Sequence, residues 1–152
     1  MLIFLDTEFT SFEEPYLVSA GLVAGERELY FELAGISAEI CSPFVQATVL
    51  PLLSGPVLEP IEVSNQLAAF LESCGPDVTF FCDAPSYDIV LLRPFLPGDL
   101  RWKFAVPSFG DYASEQIFNQ AQENAFAGGL RRHHALDDAR ALAAAWTAAD
   151  LR

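Results

Sequence analysis

The sequence predicts an α/β fold in which a mixed sheet, an antiparallel meander of the first three strands plus parallel strands, is flanked by helices. Two observations predict it. Three strand-like segments follow one another within the first 33 residues, and short apolar runs then alternate with segments of helical periodicity. The chain has 152 residues, of which 52% are hydrophobic, so we expect one domain over residues 1–152.

The meander is predicted from the first three segments. Residues 1–5 form a continuous apolar run of the kind that is buried in a sheet. Residues 16–23 and 28–33 are also strand-like, and residues 25–27, which begin with a glycine, form a turn between them. Because the connections are short, we expect these three strands to pair antiparallel.

The remaining elements are predicted from periodicity and from helix-breaking residues. Ser42 is a predicted N-cap with Pro43 at the first helical position, and Pro51 helps to end that helix. Residues 54–60 contain prolines and a glycine and are predicted to be a loop. A second helix is predicted from the apolar repeat over residues 67–74, and the glycine and proline at 75–76 end it. The later predictions are a strand over 78–82, a helix over 85–93, an edge strand over 102–106, a helix over 111–127 and a helix from 135 to the end.

Composition predicts a reduced, cytoplasmic protein. No apolar run approaches the roughly 20 residues that a membrane span needs. The sequence shows no basic segment followed by an apolar stretch and a cleavage site, so no secretory signal is expected. Cys41, Cys74 and Cys82 are odd in number and lack metal-site spacing, and we expect them to be buried free thiols.

The charge is strongly acidic and unevenly distributed. The formal net charge is −13, and residues 1–92 contain 14 acidic side chains but only one basic side chain. Residues 93–152 contain seven of each. A protein this acidic does not bind long nucleic acid by charge alone. A phosphate-bearing substrate would need metal ions and a local basic rim, unless it is short or held by a partner protein.

Acidic side chains occur where predicted strands and helices meet. Asp6 and Glu8 are two residues apart at the end of the first strand, so they point to the same face. Their mutual repulsion favours a divalent cation between them, although two solvated carboxylates in a turn are the simpler alternative. Asp88 lies in the first turn of a helix on the face of Leu91, which packs inward, whereas Asp83 is a predicted turn residue.

The last helix carries two adjacent aspartates with different predicted environments. Asp137 shares a face with Arg140, which predicts exposure to solvent. Asp138 shares a face with Leu142 and Trp146, which predicts that its carboxylate points toward the sheet.

A basic loop precedes this helix. Gly128 and Gly129 predict flexibility there, so His133 is able to approach a bound ligand. Arg131 and Arg132 offer phosphate contacts, and the alternative is a plain basic linker at a helix start.

Together these motifs resemble the DEDDh-type 3′–5′ exonuclease superfamily, whose members have an RNase H-like fold. The resemblance consists of Asp-x-Glu on the first strand, Tyr-Asp at the start of a helix, and His-x-x-x-x-Asp leading into the last helix. It spans nearly the whole chain. The phrases Leu-Asp-Thr-Glu-Phe-Thr and Asp-Ala-Pro-Ser-Tyr-Asp are most similar to small bacterial 3′–5′ exoribonuclease-like proteins. Where many relatives have His-Asn, this chain has Cys82-Asp83, which leaves the substrate preference open.

The resemblance implies a set of roles for individual residues. His133, five positions before Asp138, matches the general base, and His134 does not match. Two Mg²⁺ or Mn²⁺ ions would hold the scissile phosphate, and no small organic cofactor is implied. Phe9 and Thr10 would meet the terminal nucleotide, although Phe9 fits a core position equally well. The implied metal ligands are Asp6, Glu8, Asp88 and Asp138.

The sequence therefore predicts a metal-dependent 3′–5′ exonuclease acting on single-stranded 3′ ends, with RNA favoured over DNA. The alternatives are a DNA proofreading or trimming exonuclease, a non-catalytic nucleic-acid-binding protein of the same fold, and a metal-dependent phosphatase. A common phosphatase nucleophile motif is Asp-x-Asp, whereas this chain has Asp-x-Glu. The expected partner is a single-stranded RNA or DNA 3′ end, no membrane is involved, and the oligomeric state, a homodimer included, stays open.

Overall fold

The computed structural model describes residues 1–151, and within that range it contains a six-stranded mixed sheet and five α-helices. The strands are β1 (Leu2–Phe9), β2 (Leu17–Ala24), β3 (Arg27–Leu33), β4 (Val57–Leu58), β5 (Asp77–Phe81) and β6 (Arg101–Ala105). The helices are α1 (Pro43–Thr48), α2 (Pro60–Cys74), α3 (Pro85–Leu92), α4 (Tyr112–Ala127) and α5 (Ala135–Ala148). Short 3₁₀ turns occur at Ala38–Ile40, Leu50–Leu52 and Arg93–Phe95.

The strand order across the sheet is β4-β3-β2-β1-β5-β6. β2 is antiparallel to both of its neighbours, and every other pairing is parallel. The predicted α/β class, with an antiparallel meander extended by parallel strands, is therefore confirmed.

The clearest differences from the prediction lie in two segments. Residues 54–60 were expected to be a loop, but Val57 and Leu58 form β4, which pairs in parallel with the end of β3. A strand of two residues is too short to show any periodicity. The last helix was expected to run to the end, but it ends at Ala148, with Ala149 as C-cap.

The two faces of the sheet bury separate apolar clusters because strand side chains alternate between faces. Ile3 and Leu5 pack with residues of α2 and α3. Phe4 and Phe81 pack with residues of α4 and α5, among them Leu142. The three cysteines are free and buried, as predicted. Within residues 1–151, no helix is both long enough and apolar enough to cross a membrane.

The pairing of β1 leaves part of that strand unpaired on one side. β5 pairs with β1 only at residues 2–4, whereas β2 pairs with β1 as far as Phe9. Asp6 and Glu8 lie beyond the end of the β5 pairing and continue the row of Phe4, on the face that α4 and α5 cover. The carboxyl end of β1 therefore projects its acidic residues beside the α5 helix.

Gly21 allows α5 to lie directly on the sheet next to this acidic row. It is the β2 partner of Asp6, and a Cβ atom at Gly21 would lie 2.4 Å from backbone atoms of Ala135 and Leu136. Only a residue without a side chain permits that approach. The first turn of α5, which carries Asp138, is thereby held close to β1.

We predict that Gly21→Ala destabilises the protein by about 1–3 kcal/mol or more, because backbone atoms of α5 must move to admit the methyl group. Urea unfolding measures the effect. Gly98→Ala is the matched control, since a Cβ there meets no atom within 4 Å. Equal stabilities for the two variants would show that α5 does not depend on this contact.

Candidate functional site

Three of the predicted carboxylates converge at the carboxyl end of β1. Oxygen atoms of Asp6, Glu8 and Asp138 lie within 4.8 Å of one another. β1 supplies the first two side chains and the first turn of α5 supplies the third. Carboxylate oxygens at such separations suit a shared divalent cation, because Mg²⁺ and Mn²⁺ prefer hard oxygen ligands.

Asp88 lies at the same end of the sheet but outside this three-carboxylate group. It is 1% exposed in the first turn of α3. Its Oδ1 atom accepts hydrogen bonds from the Thr7 backbone N–H (3.1 Å) and from the Thr7 hydroxyl (2.7 Å). Asp88 thus accepts a hydrogen bond from the Thr7 N–H, which has no partner in β5 because the β5 pairing ends at Phe4. Its Oδ2 atom is buried and receives no hydrogen bond of normal geometry from residues 1–151.

The carboxyl groups of the site bind protons unusually tightly. Burial, reinforced by repulsion from neighbouring carboxylates, raises the pKa of Glu8 to about 8 and holds the pKa of Asp6 well above its usual range. Burial also raises the pKa of Asp138 to about 7. For Asp88 burial outweighs the Thr7 hydrogen bonds, and the pKa rises to about 7. Within residues 1–151 none of these four groups forms an ion pair with a basic side chain.

An open cleft of about 860 Å³ contains all four carboxylates. Its walls come from the end of β1, from the starts of α1, α3 and α5, and from the second half of α4. The turn residue Asp83, which follows β5, also lines the cleft. Aromatic and basic side chains also line the cleft, and they include Phe9, Phe12, Phe44, Tyr87, Phe126, Arg132 and His133.

The two histidines occupy different environments. His133 lines the cleft, has a positive φ of 63°, and contacts Phe44 edge to face at 5.1 Å between ring centroids. His134 is 4% exposed and stacks on Tyr30 with centroids 4.6 Å apart. Of the two histidines, His133 lines the cleft and His134 does not.

Three aromatic rings form one rim of the cleft. Phe9 stacks on Tyr87 with ring centroids 4.7 Å apart and an interplanar angle of 7°. Phe12 contacts both rings edge to face at 5.4 Å and is 72% exposed. Phe9 therefore belongs to a surface cluster and not to either core. Phe12 and Tyr87 were not among the predicted site residues, although an aromatic residue within a polar loop, as at Phe12, is a signal of such a cluster.

Two of the predicted substrate contacts lie elsewhere in the structure. Thr10 is fully buried, and its hydroxyl donates to the Glu14 carbonyl (2.8 Å) and accepts from the Tyr16 N–H (3.0 Å), so it shapes the turn after β1. Arg131 does not line the cleft. Its guanidinium group is instead paired with Asp137 at 2.6 Å. Arg132 does line the cleft.

The prediction that Asp137 is exposed to solvent was wrong. Asp137 is 3% exposed, and Arg131 and Arg140 cover its carboxylate. Burial opposes ionisation of Asp137, but the hydrogen bonds from Arg131 outweigh it and lower the pKa. Periodicity correctly placed Asp137 beside Arg140, but it did not show that both side chains would be packed between elements.

No family model and no curated protein matches the chain. The interpretation of the cleft therefore depends on its own residues.

We predict that the metal-free protein becomes less stable as pH rises from about 5 to 8. An unfolded glutamate has a pKa of about 4.3, whereas Glu8 has a pKa of about 8 in the folded protein. Between these values the folded state binds more protons than the unfolded state, so stability is present at low pH and is lost as pH rises through the folded pKa. Urea unfolding at several pH values with a chelator measures this.

Glu8→Gln should flatten this pH dependence, because it removes one of the carboxyl groups responsible. Glu26→Gln, in the exposed turn between β2 and β3, is the matched control. An unchanged slope in Glu8→Gln would contradict the assignment of the pH effect to the cleft.

Proposed function

We propose that this protein is a metal-dependent 3′–5′ exonuclease that hydrolyses phosphodiester bonds at single-stranded 3′ ends, with RNA favoured. It would be a DEDDh-type enzyme with an RNase H-like fold, similar to small bacterial 3′–5′ exoribonuclease-like proteins. One observation carries the proposal. Oxygens of Asp6, Glu8 and Asp138 lie within 4.8 Å of one another without a compensating cation from the described chain, in the same cleft as His133.

The residues present fit divalent metal ions. Asp6, Glu8 and Asp138 supply hard oxygen ligands, and their raised pKa values reflect a shortage of positive charge that a cation would relieve. Asp88 has one buried oxygen without a hydrogen-bond donor, which leaves that atom available as a further ligand. When bound, Mg²⁺ or Mn²⁺ would polarise the scissile phosphate and stabilise the leaving 3′ oxygen.

The chain itself would supply proton transfer and substrate positioning. The His133 imidazole makes no hydrogen bond within residues 1–151 and lines the cleft, so it is free to accept a proton from an attacking water. The rim formed by Phe9, Phe12 and Tyr87 offers an exposed aromatic surface on which a base would stack.

Arg132 is the basic side chain best placed for phosphate. It lies over the Phe126 ring at 4.2 Å and pairs with Glu123, and both partners of that ion pair are about half exposed. Exposed ion pairs are weak, so Arg132 can exchange Glu123 for a phosphate group.

The alternatives fit the cleft less well. A protein that only binds nucleic acid does not need uncompensated carboxylates beside an imidazole, because the carboxylates repel phosphate. A phosphatase that uses an aspartyl nucleophile needs no aromatic rim. The choice of RNA over DNA depends only on the resemblance of the motifs, and a DNA exonuclease with the same chemistry is the second candidate.

The test is turnover of 5′-labelled RNA and DNA oligonucleotides of matched sequence with Mg²⁺ or Mn²⁺. We expect metal-dependent shortening from the 3′ end, faster on RNA, that is abolished by Asp6→Asn and by Asp138→Asn. Asp111→Asn is the control, because Asp111 is an exposed N-cap of α4 outside the cleft. Absence of shortening on both substrates, or equal activity in all three variants, would refute the proposal.

We predict that His133→Asn lowers kcat by about 10²–10⁴-fold, which is the usual contribution of a positioned general base. Asparagine tolerates the positive φ at this position, so the backbone of the loop should be retained. The unfolding midpoint and the affinity for Mn²⁺ serve as controls and should be unchanged. A kcat within about threefold of the wild type would exclude His133 as the base.

We predict a shallow salt dependence of kcat/KM, corresponding to roughly two to four phosphate contacts at about −0.7 in the logarithmic slope per contact. The reason is that residues 1–92 are strongly acidic, so attractive contacts are confined to a few C-terminal bases. Rates on a 5-mer and on a 30-mer at several salt concentrations measure the slope. A steeper slope on the longer strand would reveal an extended basic track.

A further inference from the structure

We propose that Arg131 and Asp137 are positioning residues that hold the His133 loop, defined as residues 128–134, and that neither contacts the substrate. This inference rests on the proposed role of His133. It reassigns Arg131, which the sequence suggested as a phosphate ligand, and it gives a role to Asp137, which the sequence placed in solvent.

Asp137 binds the loop at Arg131. Its Oδ2 atom accepts hydrogen bonds from the Arg131 backbone N–H (3.1 Å) and from the Arg131 Nε–H (2.6 Å). Its Oδ1 atom accepts from Arg140 (2.8 Å), which in turn donates to Glu28 on β3 (2.8 Å). A carboxylate with three such bonds at 3% exposure is fixed in place, so it fixes the middle of the loop, at Arg131, relative to the sheet.

Arg131 also holds the residue that follows His133. Its Nη2 atom lies 3.0 Å from the His134 Nε2 atom. His134 stacks on Tyr30, whose hydroxyl donates to Glu32 at 2.9 Å. Glu32 is anchored by the backbone N–H groups of residues 54 and 55, at 2.7 and 2.8 Å. The Arg131 guanidinium therefore links Asp137 to His134. Asp137 is connected to β3 through Arg140 and Glu28, and His134 is connected to β3 by its stacking on Tyr30.

His133 itself depends on these neighbours for its orientation. Within residues 1–151 its side chain has a ring contact with Phe44 and no hydrogen bond, and its backbone adopts a positive φ. A non-glycine residue holds that conformation only where the surrounding structure maintains it. Loss of the Arg131–Asp137 contacts would let the loop relax and move the imidazole, and misplacement by about 1 Å costs on the order of 10²-fold in rate.

The adjacent arginines make the inference testable because they have different partners. Arg131 faces Asp137 and His134, whereas Arg132 lines the cleft. We expect Arg131→Met to lower kcat about 10-fold with KM within about twofold, and Arg132→Met to raise KM instead. Arg101→Met, which removes an exposed ion pair far from the cleft, is the control and should change neither.

A double-mutant cycle separates positioning from a general structural role. In the His133→Asn background we expect Arg131→Met to cause less than a twofold further loss of kcat, because the group that it positions is absent. Arg131→Lys, which retains a donor for Asp137, should recover part of the activity. The inference would be overturned if Arg131→Met lowered kcat equally in the wild type and in His133→Asn. It would also be overturned if Arg131→Met raised KM and made the salt dependence of kcat/KM shallower, because that result would indicate a phosphate contact.

Hydrogen exchange of the loop amides provides a readout that does not need activity. Peptides covering residues 130–134 should exchange faster in Arg131→Met and in Asp137→Asn than in the wild type, while α2 peptides should not change. Unchanged exchange in the loop would overturn the inference. If the wild-type protein hydrolysed no oligonucleotide, the proposed function would fail, and the exchange experiment would still decide whether these residues hold the loop.

Discussion

Repulsion between carboxylates that the fold forces together is the constraint on which the rest of the site depends. Asp6, Glu8 and Asp138 have oxygens within 4.8 Å of one another, and burial raises their affinity for protons. A fold gains nothing in stability from such an arrangement. It persists because apolar packing holds β1 and α5 in place, and it becomes favourable when a cation or protons neutralise it.

The same contacts that build the core therefore build the site. Gly21 lets α5 rest on β2, so Asp138 reaches the acidic row of β1. The early end of the β5 pairing exposes the Thr7 backbone N–H, which Asp88 satisfies from α3. β1 supplies Asp6 and Glu8, α3 supplies Asp88 and α5 supplies Asp138. Strand pairing and helix packing therefore determine how far apart these three elements hold the carboxylates.

Side-chain directions that depend only on the repeat of one strand or one helix could be predicted from the sequence. Alternation along a strand put Asp6 and Glu8 on one face, and the helical repeat separated Asp138 from its neighbour. The parts that depend on long-range packing could not. The burial of Asp137 requires Arg131 from six residues earlier, and the burial of Thr10 requires the turn that returns at Tyr16. β4 was missed because two residues carry no pattern.

The most direct test of the central claim is an anomalous-scattering map from a crystal containing Mn²⁺. We expect a peak bonded to the carboxylate oxygens of Asp6, Glu8 and Asp138, and we expect that peak to disappear in Asp6→Asn. A map without density between these side chains at millimolar Mn²⁺, with Mn²⁺ bound elsewhere on the protein, would contradict the claim that the acidic cluster is a metal centre.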